Sequence, residues 1–269
     1  MTVDPYIPCN NCEYCRMGLD QLCRRRRAYG AVSVHEPPHL WGGYSEFMYI
    51  APNSKLHKVP ENIPPEVACL SSIMGNAVRW VITKGGVKAG DTVVVFGPGA
   101  QGLLSTLVAK YVGAGQVVLV GLTKDSRRLE IGKVLGADHV VYADKEDVIE
   151  RVKELTGGAM ADVVIACAPS TSAIELGLEV VKPSGKYVII ANTEGRKSSI
   201  ETDKIVWREI TILGGLGQSW SDVEIGLKIM KLKYDLISKI VTHKFPLTKV
   251  KEALEAAKSG EAIKVVITP

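Results

Sequence analysis

The chain has 269 residues, of which 46% are hydrophobic, 23% charged and 6% aromatic, a composition typical of a globular protein with a sizeable core. The net charge of +4 is too small to indicate a nucleic-acid partner, and no apolar run is long enough to span a bilayer. The first eight residues are too short and polar for a secretory signal, so we expect a cytoplasmic protein without membrane or nucleic-acid partners.

Four of the six cysteines lie close to the start of the chain, at Cys9, Cys12, Cys15 and Cys23. The spacing C-x2-C-x2-C-x7-C allows four thiolates to converge on one tetrahedral Zn²⁺. Because all four ligands are cysteines, no coordination position remains for water or substrate, which indicates a structural site. An iron–sulfur cluster, two disulfides or unliganded thiols are the alternatives, and the cytoplasmic setting disfavours disulfides.

An arginine run, Arg24–Arg27, follows the last of these cysteines. Next to a zinc lobe, four arginines could contact nucleic acid. A solvated basic rim explains them equally well. We favour the rim, because the rest of the chain does not resemble a nucleic-acid-binding module.

A glycine-rich turn follows the predicted buried strand Thr92–Phe96 and precedes a predicted helix, Leu103–Tyr111. In a G-x-G-x-x-G turn between strand and helix, the first glycine permits a tight turn and the second leaves room for a pyrophosphate. The third glycine lets the helix pack against the strand. The amides at the helix start attract phosphate. The predicted phosphate-binding residues are Gly97, Gly99, Ala100, Gln101 and Gly102.

Strands and helices alternate through the rest of this region, which predicts a parallel sheet with right-handed crossovers. Six strands with the glycine turn after the first indicate a Rossmann domain, although an α/β domain whose turn binds nothing has the same pattern. The predicted strands after the first are 116–121, 139–142, 162–166, 186–190 and 210–213, and the predicted helices are 125–135, 145–155, 171–181 and 222–231.

The end of the second predicted strand bears on the choice of dinucleotide. An NAD-binding domain places an acid there to bind the ribose 2′-hydroxyl, and this chain has Thr123. Lys124, Arg127 and Arg128 can attract a 2′-phosphate, which favours NADP over NAD. Asp125 could still bind the ribose, or it could cap the next helix.

Three segments occur in one order with the cysteine cluster: GGYSEF at 42–47, VKAGDTVVVFGPGAQG at 87–102 and RLEIGKVLGADHVV at 128–141. This combination resembles the zinc-containing medium-chain alcohol dehydrogenase family. The resemblance implies an α/β protein with a doubly wound Rossmann sheet and a partial, mainly β barrel-like catalytic domain that carries a structural zinc lobe. The implied domains are 1–60 (catalytic, with the lobe), 61–239 (Rossmann, with its lead-in helix) and 240–269 (return to the catalytic domain).

The resemblance also implies an NAD(P)-dependent oxidoreductase acting on a small alcohol, aldehyde, ketone or quinone, assembled as a homodimer or homotetramer through a free sheet edge at 210–213. By family position, the nicotinamide side of the cleft is lined by Asn76, by Ala168 within Cys167–Pro169, and by Ala191 and Asn192. These last two segments follow predicted strands, where open α/β sheets bind ligands.

The sequence departs from the family at the catalytic metal. The segments that supply a Cys and a His-Glu pair to a catalytic zinc in the family are not in this sequence, and Ser72 stands where a further ligand is expected. Cys69 is out of register, and His35-Glu36 with His39 follows the lobe instead of preceding it. We therefore assign no catalytic residue. A catalytically silent, dinucleotide-binding zinc protein or fragment is the alternative.

Overall fold

The structure is a computed structural model that describes residues 1–269 as two compact units, one formed by 1–75 with 217–269 and the other by 76–216. The first part of the chain contributes short elements: β1 (Thr2–Val3), β2 (Tyr6–Ile7), α1 (Glu13–Arg16), β3 (Arg27–Ala28), β4 (Leu56–His57), α2 (Pro65–Ala68) and α3 (Ser71–Val78). Strand β1 pairs antiparallel with β4, and β2 pairs antiparallel with β3.

The second unit begins within helix α3, continues into a π-helix at Arg79–Lys84, and then alternates strands with helices. Its strands are β5 (Thr92–Phe96), β6 (Gln116–Gly121), β7 (His139–Tyr142), β8 (Ala161–Ala166), β9 (Val181–Ile189) and β10 (Thr211–Gly214). Its helices are α4 (Ala100–Tyr111), α5 (Ser126–Val134), α6 (Val148–Leu155), α7 (Thr171–Glu179) and α8 (Thr202–Trp207).

All six strands of the second unit form one parallel sheet in the order β10-β9-β8-β5-β6-β7. The predicted Rossmann sheet is therefore confirmed, with the chain reversing direction across the sheet between β5 and β8. The central strand is a β-branched run in which Val93, Val94 and Val95 are 0% exposed. Burying each such side chain contributes about 1.5–3 kcal/mol, so this run anchors the glycine turn that follows it.

The element bounds differ from the predicted ones where a side chain sets the helix start. Helix α6 begins at Val148, three residues after the predicted start, because the Asp147 carboxylate accepts hydrogen bonds from the amides of Ile149 (2.9 Å) and Glu150 (3.1 Å). Such an N-cap fixes the first turn. The predicted strand at 186–190 begins earlier, since β9 already runs from Val181.

The last part of the chain returns to the first unit as α9 (Trp220–Ile237), β11 (Val241–Pro246), α10 (Val250–Lys258) and β12 (Lys264–Thr268), with β11 and β12 parallel. The unit boundaries at 75 and 217 differ from the expected 60 and 239. The difference arises because α9 packs closely on the preceding chain. A Cβ on Gly75 would lie 2.8 Å from Val223 Cγ2, and one on Gly226 would lie 2.9 Å from Met74 Cγ. No helix has both the length and the apolar character needed to cross a membrane.

Candidate functional site: a four-cysteine lobe and a cavity at the glycine turn

The four clustered cysteines converge in the structure. Their Sγ atoms all lie within 4.8 Å of one another, with Cys12 Sγ 3.5 Å and Cys9 Sγ 4.0 Å from Cys15 Sγ. A tetrahedral Zn²⁺ with bonds of about 2.3 Å holds its sulfurs about 3.8 Å apart. The sulfurs are too far apart for disulfides, and all six cysteines of the chain are free thiols. The donor set and spacing fit a single zinc ion.

The lobe around these thiols has little apolar core. Helix α1 spans only four residues and buries none of them. Of the four cysteines, only Cys23 is buried, and its Sγ accepts a hydrogen bond from the Cys9 amide at 3.3 Å. The buried Asp20 carboxylate pairs with Lys55 Nζ and ties the lobe to the following chain. A metal ion held by the four thiols would therefore supply most of the cross-linking in this segment.

The pKa values of three thiols of the lobe are shifted, and not all in the same direction. The Asn11 amide lowers the pKa of Cys9 to about 6, and the Cys15 amide lowers the pKa of Cys12. Burial, with hydrogen bonds to neighbouring thiols, raises the pKa of Cys15 to about 12. Amide N–H groups directed at a sulfur stabilise its thiolate form, as at Cys9 and Cys12. Burial next to the other thiols stabilises the protonated form instead, as at Cys15.

Three of the four consecutive arginines after the lobe are engaged within the chain. Arg24 pairs with Glu13 at 2.5 Å, and Arg27 pairs with Glu36 and lies 4.1 Å from the centre of the Trp41 ring. Arg26 stacks over a tyrosine ring at 5.2 Å. These contacts hold three of the four side chains within the chain, while Arg24 remains 70% exposed.

The glycine turn after β5 has the backbone that a pyrophosphate needs. Gly97 adopts φ +97°, and Gly99 caps helix α4 with open space where a Cβ would stand. A Cβ on Gly102 would lie 1.9 Å from Gly97 O, so this position admits only glycine. The first amides of α4 are thus exposed to an approaching anion.

A cavity of about 410 Å³ opens at this turn, within the size range of small-molecule sites. It lies at the carboxyl ends of β5, β6 and β8, where ligands bind in open parallel sheets. Its walls are Phe96–Gly99, Val120–Leu122, Lys124, Asp125, Arg128, Ala143, Cys167–Ser170, Ser172, Ala173 and Leu176.

Five of the twelve predicted cofactor-binding residues line this cavity: Gly97, Gly99, Lys124, Arg128 and Ala168. The other seven lie outside it. Ala100, Gln101 and Gly102 form the first turn of α4, Thr123 begins a short 3₁₀ turn, and Asn76 lies in α3. Ala191 follows β9, where its amide donates to Ala166 O at 3.1 Å, and the Asn192 side chain accepts from the Glu194 amide at 3.0 Å.

The loop after β6 is held by two carboxylates. Asp125 Oδ2 accepts from the Leu122 amide at 3.2 Å, and Asp144 Oδ1 accepts from the Thr123 amide at 2.8 Å. Burial alone would raise the pKa of Asp144, but the Thr123 hydrogen bonds bring it below its usual value. Both acids are therefore engaged by backbone, while Lys124 and Arg128 line the cavity.

The far wall of the cavity contains residues that were not predicted from the sequence. Ser170 and Ser172 lie there with their hydroxyls 2.7 Å apart, at the start of α7. Burial raises the pKa of Cys167 to about 12, so this wall presents a neutral thiol. The sequence feature that could have indicated this wall is the pair of serines at the start of a predicted helix that follows a predicted strand.

The residues of the expected catalytic-metal stretch are engaged in a buried polar cluster of the first unit. Gln218 Nε2 donates to Asp4 Oδ1 at 3.2 Å and to Ser72 Oγ at 3.1 Å. His57 is 1% exposed, with Nδ1 2.6 Å from Glu224 Oε1 and its ring stacked on Trp220. Neither Cys69 nor the His35–His39 segment joins a group of metal-ligating side chains, and the four-cysteine lobe is the one such group in residues 1–269.

Comparison with known proteins gives consistent matches. A family model described as zinc-binding dehydrogenase matches residues 100–231. The chain is 32% identical over 264 residues to a sorbitol dehydrogenase of Halalkalibacterium halodurans, covering 98% of this chain and 74% of that protein. An alcohol dehydrogenase structure from Thermotoga maritima superposes with a TM-score of 0.93 at 27% identity, covering 100% of this chain and 75% of that one. A Sinorhizobium meliloti structure bound to NADP gives 0.85 at 25% identity, covering 100% and 76%.

Proposed function

Because this chain belongs to the zinc-containing medium-chain alcohol dehydrogenase family of oxidoreductases, we propose that it binds a nicotinamide dinucleotide and serves hydride transfer between that cofactor and a small alcohol or carbonyl compound. The observation that carries the proposal is the cavity at Gly97–Gly99, at the carboxyl ends of parallel strands. When bound, the cofactor supplies or accepts the hydride. The chain itself contributes the phosphate-binding backbone and the walls of the cavity.

The second cofactor in the proposal is a structural zinc ion held by Cys9, Cys12, Cys15 and Cys23. Support comes from the mutual Sγ distances below 4.8 Å and from backbone amides directed at the sulfurs. A closed set of four thiolates has no open position, so the ion organises the lobe and takes no part in the reaction.

We propose NADP as the preferred dinucleotide. No acid stands at Thr123, and the Asp125 carboxylate is occupied by the Leu122 amide. Lys124 and Arg128 lie in the same cavity wall, where two cations can bind a 2′-phosphate through charge-assisted hydrogen bonds. The NADP-bound relative from Sinorhizobium meliloti supports the same choice.

The test is a fluorescence titration with NADPH and NADH, combined with an NADPH oxidation screen across aldehydes, ketones and quinones on protein of known zinc content. NADPH binding with turnover of at least one carbonyl class supports the full proposal. Tight NADPH binding without turnover would favour a catalytically silent dinucleotide-binding protein instead. Binding of neither dinucleotide would refute both.

For assembly, we propose a homodimer or homotetramer that uses the outer edge of β10. This strand pairs only with β9, and the adjacent helix α8 presents Val206 (72% exposed) and Trp207 (76% exposed). An unpaired edge beside exposed apolar side chains favours association with a second copy. A cytoplasmic location fits the six free thiols. Light scattering of the wild type and of Trp207→Ser tests the assembly.

A further inference from the structure

Strand β4 of the first unit ends in a fully enclosed histidine. The His57 side chain is 0% exposed, and its Nδ1 lies 2.6 Å from Glu224 Oε1. Its other ring nitrogen, Nε2, is inaccessible to solvent and forms no hydrogen bond within the chain. A buried polar atom without a partner costs free energy, so packing alone does not explain an imidazole at this position. Histidine is the side chain that ordinarily changes its charge between pH 5 and 8.

Two residues of helix α9 enclose the ring. Trp220 begins the helix and stacks on the His57 ring, with the ring centroids 3.9 Å apart and the planes at 26°. Glu224 follows four residues later, and residues four apart in a helix lie on the same face. Both residues are partly exposed, whereas the ring between them and strand β4 is not. The first turns of α9 therefore form the outer side of this contact.

A second carboxylate faces His57 from the paired strand. Thr2 of β1 lies opposite His57 in the antiparallel register, and Asp4 follows two residues later. Asp4 is 4% exposed, and its charge interacts with that of His57 and with that of Lys55. Lys55 in turn pairs with the Asp20 carboxylate. His57 therefore faces carboxylates from both elements packed against it.

One further acid lies in the first turn of α9. Asp222 is buried, and its carboxylate accepts from the amide (2.8 Å) and the hydroxyl (2.6 Å) of Ser219 in the helix cap. Glu224 is thus the acid of α9 that contacts the imidazole. The 2.6 Å separation is closer to the ~2.7–2.9 Å of a hydrogen bond between charged partners than to the ~2.9–3.0 Å of a neutral one.

The segment that carries Trp220 is the point where the chain returns to the first unit. Gly217 adopts φ +58°, and a Cβ there would lie 2.6 Å from the Tyr6 hydroxyl oxygen. Gln218 Nε2 donates to Asp4 Oδ1 at 3.2 Å. Three contacts therefore hold this return segment, and the one between His57 and Glu224 is the one that can change its charge near neutral pH.

We propose that His57 and Glu224 form a pH-sensitive latch that holds the start of α9 on strand β4. In mildly acidic solution, His57 is an imidazolium that donates through Nδ1–H to the Glu224 carboxylate, while the Trp220 ring face lies against the cation. As the pH rises, His57 releases one proton to solvent and a neutral hydrogen bond remains. Because hydrogen bonds between charged partners are stronger than neutral ones, the first turns of α9 then open more often.

The first experiment is hydrogen exchange, followed by mass spectrometry, on zinc-loaded wild type and Glu224→Gln at pH 6 and pH 8. Glutamine keeps a hydrogen-bond acceptor at this partly exposed position but cannot form the ion pair. After correction for intrinsic exchange rates, we expect protection of the α9 start in the wild type to fall about tenfold at pH 8, and protection in Glu224→Gln to stay constant. Amides of helix α4 serve as the internal reference. Equal protection at both pH values in the wild type, or the same fall in Glu224→Gln, would overturn the proposal.

Tryptophan fluorescence provides a second readout, because an imidazolium in contact with an indole quenches its emission more strongly than a neutral imidazole does. Wild-type emission should rise between pH 6 and pH 8, and the rise should be absent in Trp220→Phe. The matched control is His35→Gln, which removes an exposed histidine of the same unit and should keep the rise. A rise that persists in Trp220→Phe, or is lost in His35→Gln, contradicts the assignment to His57.

Discussion

The four-cysteine lobe and the cavity at the glycine turn show two ways in which a chain builds a binding site. The lobe draws its four thiols from fifteen consecutive residues, Cys9 to Cys23, and depends on side chains. The cavity draws its walls from segments spread between Phe96 and Leu176 and depends at its centre on backbone and on missing side chains. Removing one thiol should therefore disrupt the lobe, whereas adding a side-chain atom at the glycine turn should disrupt the cavity.

The largest effect is expected from breaking the lobe. Cys12→Ser should lose the zinc ion and unfold the segment around α1, because metal binding supplies folding free energy that the sparse core cannot replace. The matched control is Cys69→Ser, at an exposed thiol away from the lobe. Zinc content by atomic emission and thermal melting measure the outcome. One zinc per chain retained in Cys12→Ser would show that the four thiols are not its ligands.

Adding one methyl group tests the cavity. Gly102→Ala places a Cβ 1.9 Å from Gly97 O, and we expect a loss of about 3 kcal/mol or more in unfolding free energy. Gly99→Ala meets open space and has an ordinary φ of −72°, so its melting temperature should stay close to wild type. Dinucleotide affinity should nevertheless fall in Gly99→Ala. Equal stability of the two variants in denaturant titration would contradict the packing described for the turn.

A smaller effect is expected from removing the two cations of the cavity wall, Lys124 and Arg128. Lys124→Ala with Arg128→Ala should weaken NADPH about 10- to 100-fold and change NADH affinity little, because the charge-assisted hydrogen bonds are made to the 2′-phosphate alone. The loss should shrink at high salt. Titration of both dinucleotides at two ionic strengths provides the measurement. A parallel loss for NADH would place these side chains at the diphosphate instead.

The polar cluster of the first unit should give the smallest effect. Burial raises the pKa of Asp4, against the hydrogen bond from the Tyr6 amide and the charges of His57 and Lys55. A carboxyl group whose folded pKa is raised favours folding when protonated, so stability falls as pH rises above its unfolded value of 3.8. Asp4→Asn should therefore be more stable than the wild type at pH 7, with the difference disappearing as the Asp4 carboxyl becomes protonated at low pH. Melting temperatures from pH 3 to 8 measure this, and a variant less stable at pH 7 would show that the charge is stabilising.

The contrast between the two regions also explains what sequence alone could predict. The cysteine spacing and the strand-turn-helix around Gly97–Gly102 are local patterns, and the structure has both sets of residues together. The wall formed by Ser170 and Ser172 joins the turn only because β8 pairs with β5, which residue patterns do not specify. The roles of the Asp125 and Asp144 carboxylates depend on the backbone amides that donate to them, which only the structure shows.

We expect the amides that follow Phe96 to hold a dinucleotide diphosphate. Isothermal titration of NADPH into zinc-loaded wild type and into Gly99→Ala tests this binding most directly. We predict measurable NADPH binding by the wild type and a loss of at least tenfold in Gly99→Ala at unchanged melting temperature. Folded wild-type protein that takes up neither NADPH nor NADH at millimolar concentration, or a Gly99→Ala variant with wild-type affinity, would contradict the claim.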